Sequence, residues 1–220
     1  MQFVYHSQSG QDILVVQSEI YNYIFKVRRH KKGEVIAFRN MEDGYLYFYR
    51  IDAVDRRKAT LILVRKEYKE VVPKKFFHLL WCVVDPKTIE KTLPMLNELG
   101  VSKISFVYCA RSQKNFRLNL DKFQKIVINS SQQCGRSRLL ELEIVQDLKE
   151  ALEKYTDIVL IDFSEDLLSC SDRIQRVLIG PEGGMTPKER ERFTQVKGLD
   201  TPMILRSETA AVSVSAKAMV

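Results

Sequence analysis

Two patterns of apolar and polar positions divide the chain near residue 70. Before it, short runs rich in Val, Ile, Tyr and Phe recur between polar stretches: Ile13 to Gln17, Tyr23 to Val27, Glu34 to Arg39, Tyr45 to Ile51 and Thr60 to Val64. Runs of this length and composition predict the strands of a small antiparallel sheet or barrel. Between two of them, Glu42-Asp43-Gly44 predicts a hairpin turn, with the glycine able to take positive φ. A module this small buries little by itself, so it is expected to dock onto, or join closely to, the remainder of the chain. Lys69-Glu70-Val71-Val72-Pro73 is the expected junction, which places domains at 1–70 and 71–220.

After the junction, apolar runs alternate with helical patterns. Strands are predicted at Phe77 to Val84, Lys103 to Tyr108, Leu139 to Val145, Asp157 to Asp162, Arg176 to Gly180 and Met203 to Leu205. Asp85-Pro86 opens a helix, with Asp as N-cap and Pro at the first helical position; Gly100 closes it, and Pro94 lies inside. Further helices are predicted from Asp121 to Gly135, Asp147 to Tyr155 and Glu208 to Met219. Thr186-Pro187-Lys188-Glu189 reads as a capping box that starts a helix directly after a glycine loop. This alternation predicts a mostly parallel sheet with helices on both faces.

Composition and charge narrow the class. The 45% hydrophobic content is that of a globular chain. No apolar run approaches the roughly 20 residues of a bilayer span, and the N-terminus lacks an apolar leader segment, so neither a membrane nor a leader is expected. The 4 cysteines (Cys82, Cys109, Cys134, Cys170) form no C-x-x-C pair and are read as reduced, mostly buried thiols of a cytoplasmic protein. The 3 histidines are scattered, so no metal site is expected. The net charge is +7, and its clusters carry more information than its sum: Arg28-Arg29-His30-Lys31-Lys32 is densest, followed by Arg56-Arg57-Lys58, Arg65-Lys66 and Lys74-Lys75. Arg111, Lys114 and Arg117 are interleaved with polar and aromatic residues, and Arg136 and Arg138 flank a short loop. One cluster alone is an ordinary solvated surface. Several together favour a nucleic-acid partner, because each neutralised phosphate releases condensed counterions.

The candidate chemistry lies in two linked segments, Leu178-Ile179-Gly180-Pro181-Glu182-Gly183-Gly184 and Ile204-Leu205-Arg206-Ser207-Glu208-Thr209-Ala210-Ala211. Each reads as a buried strand running into a tight turn and then a helix. Two such strand ends predict one ligand crevice at the carboxyl ends of the strands. The spacing is not that of a P-loop, which needs G-x-x-x-x-G-K-[ST], nor of the G-x-G-x-x-G dinucleotide fingerprint. A plain turn is the bland alternative. Against it, three glycines and a proline occupy one connection, and the second segment leaves its strand through similarly small residues.

These two motifs, in this order and spacing, resemble those of the RsmE family, 16S ribosomal RNA uridine-N3 methyltransferases of the SPOUT superfamily. Glu98-Leu99-Gly100-Val101, Ala110-Arg111-Ser112 and Gln133-Cys134-Gly135-Arg136 extend the resemblance upstream, and the basic N-terminal module matches the family's PUA-like domain in position and size. Three positions depart from the family: Gln132 stands where Glu is usual, Met95 where Lys is common, and Asp200 where Gly often precedes the last strand.

The resemblance implies an α/β SPOUT fold with a deep trefoil knot and a mostly parallel sheet, preceded by a small PUA-like β-barrel. It implies S-adenosylmethionine as cofactor, held by Ile161, Asp162 and Phe163, by Leu178, Ile179, Gly180, Pro181, Glu182, Gly183 and Gly184, and by Leu205, Arg206, Ser207, Glu208, Thr209 and Ala210. It further implies a homodimer, for which the small residues of the last helix would permit close approach. The partner would be 16S ribosomal RNA in the small subunit, contacted through Arg28, Arg29, Lys31, Lys32, Arg111, Arg136 and Arg138. Removing the weakly acidic proton of uracil N3 calls for a base or a positive field. Arg206 is the candidate for orienting the target and stabilising charge, and Glu208 or Glu182 for accepting the proton. Alternatives are a SPOUT enzyme acting on another base or a ribose 2′-oxygen, and a non-catalytic RNA-binding homologue.

Overall fold

A computed structural model describes every residue except Met1, Lys114 and Ser171. The chain divides into two compact units, Met1–Val72 with Ile128–Leu139, and Pro73–Val127 with Leu140–Val220.

The first unit is built on strands β1 (Val4–Tyr5), β2 (Ile13–Gln17), β3 (Val35–Arg39), β4 (Tyr45–Val54) and β5 (Lys58–Tyr68), in the order β1-β3-β4-β5-β2. The β1–β3 pairing is parallel and the rest are antiparallel. Register shifts at Phe48/Tyr49 and Ile51/Ala53 mark irregularities of the kind that raise local twist and let a small sheet curl around its core. That core is Leu14, Val16, Ile24, Phe38, Tyr49, Ile51 and Leu61.

The predicted strand at Tyr23 to Val27 is not one. Helix α1 (Ser18–Tyr21) runs directly into a π-helical segment, Asn22–Val27. Its apolar residues pack at helical spacing: Tyr21 and Ile24 are buried, and the Tyr21 and Phe25 rings lie 4.8 Å apart. A short β-branched and aromatic run fits either period, and tertiary packing decides for the helix. The hairpin between β3 and β4 is present, but Met41 rather than Gly44 takes the positive φ, at 61°. A Cβ at 44 would lie 2.7 Å from the Tyr68 ring, so a larger residue there would have to displace that ring. Residues 128–139 join this unit through side-chain and main-chain bonds. Gln132 accepts from the Tyr5 N–H through Oε1 (2.8 Å) and from the Gln2 N–H through its carbonyl (2.9 Å). Ser137 Oγ accepts from the Val71 N–H at 2.9 Å.

The second unit alternates strand and helix: β6 (His78–Cys82), α2 (Pro86–Glu98), β7 (Lys103–Val107), α3 (Leu120–Cys134), β8 (Glu141–Val145), α4 (Leu148–Lys154), β9 (Ile158–Ile161), β10 (Arg176–Ile179), α5 (Pro187–Arg190), β11 (Val196–Lys197) and α6 (Ser207–Met219). The six-stranded sheet has the order β11-β9-β10-β6-β7-β8, and every pairing is parallel. Strands covered on both faces are mostly apolar, which is why β9 reads as an unbroken hydrophobic run and β6 as one after His78. The caps predicted at Asp85 and Thr186 form, and Asp147 adds another. Asp85 accepts from the Lys87 N–H (2.9 Å), Asp147 from the Glu150 N–H (2.8 Å), and Thr186 and Glu189 close a reciprocal capping box.

Two expectations are corrected in this unit. Met203 to Leu205 is not a strand: Met203 and Ile204 are 67% and 83% exposed, and the edge beside β9 is β11 instead. Pro202 has no N–H to give a ladder, and three apolar residues after it are too few to displace a segment already paired. Cys82 and Cys109 are also not free thiols; their sulfurs are bonded, with a Cα–Cα distance of 5.9 Å. Parallel pairing of β6 with β7 sets Cys82 beside Val107, two residues before Cys109, a proximity that 27 residues of separation conceal. Cys134 and Cys170 take no part in a disulfide among the described residues.

A polar network occupies the amino-terminal half of these strands. Ser105 Oγ on β7 lies 2.6 Å from His78 Nε2 on β6 and donates to Glu143 on β8. Glu143 also receives Tyr155 OH, Lys154 Nζ (2.8 Å) and Lys103 Nζ (3.2 Å). Burial pushes the Glu143 carboxyl up, but these hydrogen bonds outweigh it and bring it to about 2. Burial, followed by the charges of Lys103, Arg176 and Lys154, lowers His78 to about 4 against the pull of Glu143.

Candidate active site

The sheet reverses its direction of growth between β6 and β10, since β7 and β8 lie on one side and β9 and β11 on the other. Ligand crevices of open parallel sheets form outside the carboxyl ends of strands at such a point. Here it is a cavity of about 1120 Å³ with three walls. The first is Ile161, Asp162, Phe163 and Ser164 after β9; the second is Ile179 to Met185 after β10; the third is Gly198 to Glu208 with Ala210.

The β10 wall is a turn. Gly184 N–H donates to Pro181 O at 2.8 Å, which leaves Glu182 and Gly183 at its two central positions. Gly184 has φ +70°, a conformation that favours glycine. The N–H groups of Glu182 and Gly183 donate to no other group among the described residues, so they remain available to a ligand. Two bonds fix the turn from outside. Ser207 Oγ donates to Gly180 O at 2.7 Å, and Arg111 Nη1 donates to Gly183 O at 2.7 Å. Ser207 also accepts from Trp81 Nε1 at 2.8 Å, so the fully buried Trp81 on β6, the start of α6 and the glycine turn form one chain of bonds.

Below the turn, Glu189 ties its downstream end to the 109–112 segment. Its carboxylate accepts from the Ala110 N–H (2.8 Å), the Thr186 N–H (2.9 Å) and the Thr186 hydroxyl (2.8 Å). Burial pushes this carboxyl up, but those hydrogen bonds and the nearby Arg111 charge hold it below the ordinary carboxylate range. On the β9 wall, Asp162 receives Arg190 Nη1 at 2.5 Å, while Arg190 Nη2 reaches Phe163 O at 2.8 Å. Asp162 is thus committed to holding α5 against the wall.

Most residues expected from the sequence meet here. Ile161, Asp162, Phe163, Ile179 to Gly184, Leu205 to Glu208 and Ala210 line the cavity. Leu178 and Thr209 do not: Leu178 is fully buried in the core, and Thr209 is not among the lining residues. Both lie one position away from lining residues, where strand alternation and helix pitch turn the side chain elsewhere. Among the described residues, Glu182, Arg206 and Glu208 make no side-chain hydrogen bond or ion pair, yet all three line the cavity. Sequence reasoning misses Trp81, Glu189, Arg190 and the 198–203 segment. A signal exists only for Glu189, as the last residue of the capping box.

The basic residues separate into groups. Arg28, Arg29, Lys31 and Lys32 are exposed together in the first unit, where Arg28 Nε bonds Tyr23 OH at 2.7 Å. Arg136 is corrected as a surface contact: it is 6% exposed, its Nε donates to Arg138 O, and burial lowers it to about 10. Arg138 is engaged with Glu70 (3.0 Å) and Glu42 O (2.7 Å). Arg111 faces the glycine turn, as described, and Lys114 lies outside the described residues.

Residues 73–219 match the RNA methyltransferase domain family, and residues 16–64 match the RNA methyltransferase PUA domain family. A ribosomal RNA small subunit methyltransferase E of Helicobacter pylori (strain ATCC 700392 / 26695) is 40% identical over 226 aligned positions, with 100% of both chains covered. Its counterpart in strain J99 is 39% identical with the same coverage. The crystal structure of a ribosomal RNA small subunit methyltransferase E from Neisseria gonorrhoeae, bound to S-adenosyl methionine, shares the fold with a TM-score of 0.84 at 21% identity, covering 98% of this chain and 95% of that one. A parallel α/β sheet following a PUA-like strand module, together with full-length identity at this level, makes the chain a member of the ribosomal RNA small subunit methyltransferase E family.

Proposed function

We propose that the protein transfers a methyl group from S-adenosylmethionine to N3 of a uridine in 16S ribosomal RNA of the small subunit. The observation that carries this reading is the bond from Ser207 Oγ to Gly180 O, which closes the two sequence motifs onto one cavity. The cavity fits the cofactor. It has unpaired main-chain N–H groups at Glu182 and Gly183, small residues that allow close approach, and a volume that leaves room for a nucleobase.

The bound cofactor supplies an electrophilic methyl group on a sulfonium. As the N3–CH₃ bond forms, the S–CH₃ bond breaks, and the N3 proton must leave. In this reading Arg206 orients the uracil and offsets its developing negative charge, and Glu182 or Glu208 accepts the proton. Positioning N3 in line with the methyl carbon supplies much of the rate. The Arg28–Lys32 cluster of the first unit gives the RNA an exposed cationic landing site. The proposal includes domains at 1–70 and 71–220, a trefoil knot around the cavity, a homodimer and a cytoplasmic location. Exposed Phe163, Met203 and Ile204 on the cavity rim support the dimer, because large apolar side chains gathered there favour a protein contact.

The test is to incubate the protein with methyl-labelled cofactor and unmodified small ribosomal subunits, digest the RNA and identify the labelled nucleoside. N3-methyluridine is expected. Label in a ribose, in another base or only in transfer RNA overturns the substrate.

A further inference from the structure

Arg111 belongs to a basic segment whose residue types favour a phosphate contact, yet its guanidinium points at protein. Nη1 donates to Gly183 O at 2.7 Å and lies 3.5 Å from Met185 O. Its Cβ and Cδ would sit 3.4 Å from a Cβ at position 183, so the aliphatic stem packs directly beneath the turn. The next residue upstream, Ala110, gives its N–H to Glu189, which in turn holds both the N–H and the hydroxyl of Thr186. The glycine turn is therefore bracketed from the 109–112 segment at Gly183 by Arg111 and at Thr186 by Glu189.

We propose that Arg111 is a positioning residue of the methyl-transfer reaction: it sets the cofactor loop rather than binding RNA. The Gly183–Gly184 peptide plane is fixed at both ends, with its carbonyl oxygen on Arg111 and its N–H on Pro181 O. Fixing that plane fixes the turn, and with it the direction of the unpaired N–H groups of Glu182 and Gly183. Glycine-rich turns are otherwise the most conformationally free segments of a chain, so an unrestrained turn would have to be ordered by the cofactor at the expense of affinity. A charged donor on a carbonyl is among the stronger hydrogen bonds available for this purpose. Arg111 acts on the cofactor through the loop, without touching it.

This inference rests on the reading that the Gly180–Gly184 turn holds the cofactor, and the experiment separates the two. Calorimetric titration with S-adenosylmethionine is run on the full chain carrying Arg111→Ala, Arg111→Gln or Gly184→Val. Affinity for a small-subunit RNA fragment is measured across a salt series. Arg111→Ala is expected to raise the cofactor Kd about tenfold, the size expected from losing one charge-assisted hydrogen bond. The KM for the cofactor should rise with it while the KM for RNA stays put. Arg111→Gln keeps a side-chain N–H for Gly183 O and should restore the Kd to within about threefold of the parent. Neither variant should change the slope of log affinity against log salt, whereas loss of a phosphate contact lowers that slope by about 1. A cofactor Kd unchanged in Arg111→Ala, or a lowered salt slope, overturns the proposal. Should the alanine variant fail to fold, the glutamine variant decides, since removing a phosphate-binding charge lowers the slope even where a donor remains. Gly184→Val tests the underlying site independently. It forces a β-branched residue to φ +70°, and normal cofactor binding in it would show that the turn is not the cofactor site.

Discussion

Glu143, midway along β8, receives hydrogen bonds from Ser105, Tyr155, Lys154 and Lys103, in a cluster that reaches the amino-terminal ends of β6 and β7 through His78 and Lys103. The side chains of Glu182 and Arg206, at the carboxyl end of the same sheet, make no hydrogen bond or ion pair among the described residues and line an open cavity. The strands are shared, and only the end differs. At the amino-terminal end, polar side chains satisfy one another and the groups are locked. At the carboxyl end, main chain is held by Ser207, Arg111 and Glu189, while the chemically useful side chains are left uncommitted. Stability and activity therefore reside in different halves of one sheet, and substitutions at the two ends should be separable.

The largest effect expected from breaking that contrast is catalytic. Arg206→Ala should lower turnover on small subunits by about 100-fold, the size expected from losing one preorganised charge at a reacting group. Its melting temperature should stay within a degree or two, because the side chain makes no hydrogen bond or ion pair among the described residues. A comparable loss of stability, or undiminished turnover, breaks the contrast from this side.

The reverse behaviour is expected of Glu143→Gln. Removing its charge leaves the ammonium groups of Lys103 and Lys154 around a neutral amide, one of which is largely buried. A loss of about 2–3 kcal/mol in urea unfolding is expected, near the low end for breaking a shielded ion pair because part of the network faces solvent. The m-value and the cofactor Kd should be unchanged.

What is legible in the sequence depends on range. The caps of α2, α4 and α5 are readable because they involve residues within three positions of each other. The two C-terminal motifs are readable because glycine, proline and small residues mark a turn wherever they cluster. By contrast, Ser105 meets Glu143 across 38 residues, Arg111 meets Gly183 across 72, and Trp81 meets Ser207 across 126. No local pattern encodes such partners, so Arg111 and Arg136 look like surface charge until the fold places one beneath a turn and the other inside. The Tyr23–Val27 and Met203–Leu205 segments mislead for another reason: short apolar runs do not distinguish strand from helix or from an exposed rim.

Acid should dissolve the amino-terminal end in a defined order. His78 falls from 6.5 to about 4 on folding, so the unfolded chain binds the extra proton between those values. Its contribution is present above pH 6.5 and is lost as pH falls toward 4, an effect of about 3 kcal/mol at most by the linkage relation. Glu143, lowered from 4.5 to about 2, also contributes above its unfolded value and loses that contribution as pH falls from 4.5 toward 2. Urea midpoints of the parent should thus decline first between pH 6.5 and 4. His78→Asn should flatten that window and leave the lower one. A parent curve flat from pH 7 to 4.5 contradicts a buried neutral His78.

The smallest and most diagnostic effect belongs to Ser207, which serves the core and the cavity wall at once. Its hydroxyl accepts from Trp81, inside the core, and donates to Gly180 O, on the cavity wall. Ser207→Ala leaves a buried indole N–H and a carbonyl without their partner, a cost of about 1–2 kcal/mol in stability. The same change frees the upstream end of the glycine turn, so the cofactor Kd should rise by roughly threefold to tenfold. Trp81 is the protein's only tryptophan, so its emission reports on this one bond. In the parent, cofactor binding should change the emission, because ordering the turn reorganises the Gly180–Ser207–Trp81 chain; in Ser207→Ala that response should shrink. Were Ser207→Ala to lose stability without affecting the cofactor, the bond would belong with Glu143, to the locked half of the sheet. Were it to lose affinity alone, the indole N–H must find another acceptor and the bond would belong to the open half. Loss of both together is what the geometry predicts, because one hydroxyl lies on the boundary between them.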